Sequence, residues 1–135
     1  MKTAFISFVL LLSALPAFAS PEGVCTLASA PESSEVIVNI EIGENGQRVL
    51  ILKEVLAGAR TKTSWNVQKK LTTDESGHRV RVQYLLSQVP DARVALTVDM
   101  TKRLEYNVYP SVLTIDEGEH SRTEMLLCGF FYQFP

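Results

Sequence analysis

The sequence predicts an all-β protein, an antiparallel β-sandwich or small barrel of about eight strands. From Glu35 onward, apolar residues alternate with polar ones in short runs, the period of a half-buried strand. Clusters of Gly, Asp, Asn, Glu and Pro punctuate those runs at intervals of roughly a dozen residues. The links are too short for parallel crossovers, which need a dozen or more residues, so neighbouring strands run antiparallel.

Taken in order, Lys2, the apolar run Ala4 to Leu15 and the small-residue pattern Ala17-Phe18-Ala19 form a secretory signal peptide over residues 1–19, with cleavage expected after Ala19. The run is too short and wrongly flanked for a permanent membrane span. Residues 20–34, rich in Ser, Pro, Ala and Glu, show neither strand nor helix period and are expected to form an irregular leader. Residues 35–135 make a single β domain. Val36, Val38, Ile40 and Ile42 share one face of a first strand, which turns at Gly43-Glu44-Asn45-Gly46. Val49 to Leu52 is apolar on both faces, as expected of a strand covered on both sides. Thr63, Trp65 and Val67 share one face of the next strand, and Ser64, Asn66, Gln68 and Lys70 the other. Asp74 to Gly77 turns the chain into Val80, Val82, Tyr84 and Leu86. Pro90-Asp91 turns it again into Val94, Leu96 and Val98. A short loop around Lys102 leads to a strand of Leu104, Tyr106 and Val108, and Tyr109-Pro110 is expected to interrupt the sheet. Val112 to Ile115, the turn Asp116 to Glu119 and a long extended segment from His120 to Phe134 complete the chain.

The full chain of 135 residues carries a formal charge of −2, which becomes −3 once Lys2 leaves with the signal. Opposite charges are interspersed without a basic stripe, which argues against nucleic acid as a partner. Cys25 and Cys128 lie near the two ends of the mature chain, and in an oxidising compartment they are expected to pair as a clasp. Cys25 stands too far past the cleavage site for a lipid anchor, and none of Asn39, Asn45, Asn66 and Asn107 begins an Asn-x-Ser/Thr acceptor. Both point to an exported protein of the bacterial periplasm.

Chemistry is thinly represented. His78 and His120 are the two histidines, and neither has a recognisable companion. Asp116 to His120 offers carboxylates and an imidazole, yet the ligand spacing of a calcium loop or a zinc site is absent. No nucleophile elbow, phosphate loop or dinucleotide fingerprint occurs. The expectation is no catalytic residue, no metal and no cofactor, with a small hydrolase or metal enzyme built on the histidines as an alternative. Two surfaces invite a partner. If the Asp74 to Gly77 turn sets the register, Lys70 faces Arg81 and Gln68 faces Gln83, while Asp99 faces Arg79. Lys70, Arg79, Arg81 and Arg93 then form a patch suited to an anion. From Cys128 to Phe134 both faces are apolar, so Phe130, Phe131, Tyr132 and Phe134 are candidates for docking on another protein.

The segment Tyr109-Pro110-Ser111-Val112-Leu113-Thr114-Ile115-Asp116-Glu117-Gly118-Glu119 resembles a hairpin in the β-domains of bacterial secretins, over about residues 105–127. The resemblance implies an accessory role in envelope assembly or secretion and carries over no functional residues. The expected function is a non-catalytic protein-binding or assembly module. A secreted inhibitor or immunity protein that plugs an enzyme with the Asp74 to Gly77 or Asp116 to Glu119 loop is the other binding class.

Overall fold

In the computed structural model, which describes residues 20–33, 35–86 and 92–131, eight antiparallel strands follow one another around a closed barrel. They are β1 (Ser20–Leu27), β2 (Val36–Ile42), β3 (Arg48–Leu56), β4 (Ala59–Thr73), β5 (Arg79–Leu85), β6 (Ala92–Asp99), β7 (Val108–Glu117) and β8 (His120–Phe130). Each strand pairs with the next, and β8 returns to β1, so the fold is a barrel and not a sandwich. Among the described residues no helix is long and apolar enough to cross a membrane.

Alternation decides which face turns inward. Val38 and Ile40 of β2, Leu50 and Leu52 of β3, Val82 and Tyr84 of β5, and Val94, Leu96 and Val98 of β6 fill the interior. Leu113 and Ile115 of β7 and Leu126 of β8 meet them from the other wall. Outward positions mix polar residues such as Asn39, Ser64, Asn66 and Thr97 with apolar ones such as Ile37, Val112 and Leu127. Ile51 points outward and is only 7% exposed, as a doubly apolar β3 predicts.

The seam between first and last strands is covalent. Cys25 and Cys128 are register partners with Cα atoms 4.0 Å apart, joined by a disulfide that lies inside the barrel. Beside it, Gly23 faces Phe130, and a Cβ at Gly23 would meet the Phe130 ring at 2.9 Å and the Gly129 carbonyl at 3.0 Å. Only glycine lets that ring lie across β1, where it also meets Tyr109 at a centroid distance of 6.1 Å.

Three expectations are corrected. Residues 20–27 are a strand and not part of an irregular leader: β1 pairs with β2 on one edge and β8 on the other. Its inward positions, Gly23, Cys25 and Leu27, include a glycine and a cysteine, and the ladder is bulged between Pro21 and Gly23, so hydrophobic alternation is weak there. Conversely, Leu104 and Tyr106 do not form a strand and are 58% and 62% exposed, because the chain turns tightly at Asn107. Pro110, expected to interrupt the sheet, sits within β7. The Phe130 N–H bonds the Asn107 carbonyl, so alternation turns the Pro110 nitrogen away from β8. That side lies just beyond the last paired residue of β6, Val98, where a missing N–H breaks nothing.

The disulfide closes a loop with a sequence separation of 103 residues. For a loop of that size the chain-entropy model gives about 4.7 kcal/mol before native strain. A Cys25→Ser/Cys128→Ser double variant is expected to lose about 3–5 kcal/mol in urea unfolding. An unchanged midpoint would mean that hydrogen bonding alone holds the seam.

Candidate functional site

Strand β4 has fifteen residues and its neighbour β5 has seven, and this mismatch shapes the surface. On one edge Ala59 to Val67 pair with β3. On the other, pairing with β5 begins only at Gln68, opposite Leu85. Beyond Leu85 the described chain continues only to Leu86, whose N–H bonds the Val94 carbonyl of β6. The first nine residues of β4 thus have a partner on one side only among the described residues.

The groups left on the open side follow from the ladder. The Val55 N–H bonds the Glu35 carbonyl at 2.9 Å, so Val55 turns its polar backbone groups towards β2. Its register partner Arg60 therefore turns its own away from β3. Alternation extends this to Lys62, Ser64 and Asn66, which present N–H and C=O groups along an edge, unpaired among the described residues, of roughly 23 Å at 3.3 Å per residue. The hairpin that carries them turns at Ala57-Gly58 with φ of 52° and 80°, the pair of positive angles that a two-residue hairpin of this twist requires.

Inside this edge lies the open end of the barrel. A cavity of about 210 Å³ is floored by Leu52, Trp65 and Ile115, with Glu54, Arg122 and His120 on its rim. Arg122 bridges Glu54 and Glu124, with Nε 2.9 Å from Glu124. The Glu54 hydrogen bond raises the affinity of the guanidinium for its proton, and Glu124 adds to the effect.

A second charge cluster closes the opposite end. Glu22, 6% exposed, accepts hydrogen bonds from Tyr84 Oη at 2.8 Å, Lys69 Nζ at 3.0 Å and Arg48 Nε at 3.3 Å. Burial opposes its charge, yet Lys69, Tyr84 and Arg48 outweigh burial and hold the carboxyl below its ordinary value of 4.5. Burial and the Glu22 charge together push the Tyr84 hydroxyl far above the usual tyrosine range.

The predicted site residues are dispersed. Lys70 is the register partner of Gln83, and Gln68 that of Leu85. Thr72 faces Arg81, and Asp99 faces Arg81 instead of Arg79. The register is displaced by two residues, one because the turn pairs Thr73 with Arg79 and one because β5 carries the extra residue Val80 between that pair and Thr72 with Arg81; a shift of two keeps the faces and changes the partners. Arg93 stands opposite Asp116 on the far part of β6, about 20 Å along the strand from the position facing Arg81, so it is no part of a common patch. Phe130 lies in the core and is unavailable to a partner, whereas Phe131 is 59% exposed. Tyr132 and Phe134 lie outside the described residues, as does the turn around Pro90. Strand β8 pairs with β7 along its length and with β1 from Leu126 to Phe130, so the stretch that carries Phe130 is not a free edge.

His78 sits on an exposed turn with Nδ1 3.6 Å from Asp74, and the Asp74 carboxylate accepts the N–H groups of Ser76 and His78 at 2.9 Å. The histidine thus belongs to a self-contained turn. His120 faces Glu117 across the β7–β8 turn on the barrel rim. Among the described residues no group of three or more His, Cys, Asp or Glu is placed to hold a metal ion. Sequence reasoning missed the open edge and both charge clusters. Its one signal for the edge was the run of Ser64, Asn66 and Gln68 on a strand longer than the next. Comparison with protein-family models, curated proteins and solved structures finds no match to this chain.

Glu22 sets a pH dependence with a definite sign. Its folded-state pKa is depressed, so its stabilisation is complete above the ordinary value of 4.5 and is lost as pH falls through the folded value beneath it. Glu22→Gln is expected to lower stability at pH 7 by about 2–3 kcal/mol, the scale of hydrogen bonds to a charged group, and to flatten the acid limb of the stability curve. Parallel acid limbs for the two proteins would remove Glu22 as its source.

Proposed function

We propose that this chain is an exported, non-catalytic protein-binding module, and that it binds by accepting an extended segment of a partner protein along the open edge of β4. The observation that carries this reading is the row of backbone donors and acceptors on Arg60, Lys62, Ser64 and Asn66 that no described residue satisfies. Such an edge is a template for strand addition, in which main-chain hydrogen bonds supply the affinity. Export rests on the pattern of residues 1–19, with the bacterial periplasm as the compartment. An assembly or secretion role, in which a partner's extended segment is held in transit, suits strand addition and is the role that the secretin-like segment implies. The fixed turns at Asp74 to Gly77 and Asp116 to Glu119 offer less to a partner, since the first spends its carboxylate on its own backbone.

A proline at Ser64 tests the edge with little collateral damage. The Ser64 N–H points away from β3, so Ser64→Pro removes an edge donor and spares the β3 ladder. With a photoreactive residue at position 66, the exported protein is expected to give a discrete crosslinked adduct with a second protein. The adduct is expected to vanish in the Ser64→Pro background at an unchanged thermal midpoint. An adduct that persists in that background, or none in either, contradicts the reading.

A further inference from the structure

We propose that the segment received by β4 is acidic on its outward face and apolar on its inward face, a stretch of about seven residues in which Asp or Glu alternates with Val, Ile or Leu. This rests on the strand-addition reading, and it follows from the side chains that flank the open edge on its two faces.

Outward, β4 presents Arg60 and Lys62, both exposed. Lys62 stands directly opposite Lys53 of β3, a like-charge pair across the ladder. From Val49 to Gln68 the outward positions of β3 and β4 hold no carboxylate. Lys53, Arg60 and Lys62 line a hollow of about 240 Å³ together with Ile37, Val55, Thr61 and Glu54, whose carboxylate is engaged by Arg122. Period 2 places the outward side chains of an added strand beside Arg60 and Lys62, where carboxylates relieve the repulsion and basic residues deepen it.

Inward, Thr61 and Thr63 occupy positions that a complete wall would bury, and both are exposed, with Trp65 half-buried beyond them. The inward side chains of an added strand fall next to Thr63 and Trp65, at the barrel mouth. The cavity there, about 210 Å³, is below the roughly 300–1,000 Å³ of a site for a whole small ligand and suits a side chain or two. Its floor of Leu52, Trp65 and Ile115 selects apolar ones. A lipid surface or a nucleic acid meets the cations and leaves the backbone donors and acceptors unpaired, whereas a peptide strand meets both. A second copy paired through the same edge sets Arg60 and Lys62 against themselves, which disfavours self-association.

Trp65 is the sole tryptophan of the chain and lies at the proposed contact, so its emission reports occupancy. The probes are two synthetic nonapeptides, one alternating Glu with Val and one alternating Lys with Val. The Glu-Val peptide is expected to shift Trp65 emission saturably and to bind at least about tenfold more tightly than the Lys-Val peptide. An Arg60→Glu/Lys62→Glu variant is expected to reverse that order. Ser64→Pro is expected to abolish binding, and Ser64→Ala, which keeps the N–H, to retain it, with far-ultraviolet circular dichroism confirming each fold. Equal binding of both peptides that Ser64→Pro abolishes overturns the charge assignment and leaves strand addition standing. Binding of the Glu-Val peptide that survives Ser64→Pro overturns strand addition itself. No saturable shift with the Glu-Val peptide overturns the acidic and apolar pattern, while the crosslink at position 66 judges the edge separately.

Discussion

Everything in this molecule depends on closing one sheet upon itself. A single sheet of eight strands has two edges, and pairing β1 with β8 removes both by turning ends of the chain that are far apart in sequence into neighbours. That contact is the least local in the fold and bears the largest loop-closure entropy. The structure meets it with the Cys25–Cys128 bond, with Phe130 laid over Gly23, and with Glu22 anchored to Arg48, Lys69 and Tyr84 from three other strands. Covalent, packing and electrostatic restraints converge on the strand with the fewest apolar residues of its own.

Closure also creates the site. A barrel wall is continuous only where neighbouring strands are matched in length, and β4 outruns β5 by about a hairpin's reach. Among the described residues the excess leaves a notch in the wall, with backbone groups along its side and the apolar floor of the barrel behind it. The charge arrangement fits that division of labour. Cations gather on the outward face of the β3–β4 hairpin, while the rim acids Glu54 and Glu124 are bound to Arg122.

Much of the wall was legible in the sequence. Alternation in Val36 to Ile42, Val80 to Leu86 and Val94 to Val98 assigns the inward faces correctly, and the doubly apolar Val49 to Leu52 announces the low exposure of Ile51. The expected total of about eight strands agrees with the fold through two opposite errors. Strand β1 is missing from the reading because a disulfide and a buried glutamate replace its hydrophobic signal. The extra strand at Leu104 to Val108 enters because alternation there is local and has no partner strand. The site was nearly illegible for a different reason. An open edge is a relation between the lengths of two strands, and a register displaced by two residues, one at the turn and one at a bulge, redistributes the charge pairs while preserving every face.

The central claim is that the backbone of β4 between Arg60 and Asn66, which has no partner among the described residues on the side away from β3, is open there. Amide hydrogen exchange read residue by residue by NMR tests it directly, because the ladder makes a two-residue alternation the signature. The account predicts fast exchange at Arg60, Lys62, Ser64 and Asn66 and slow exchange at Thr61, Thr63 and Trp65, whose N–H groups face β3. Uniform protection along the whole stretch would show that the edge is already covered, and would contradict it.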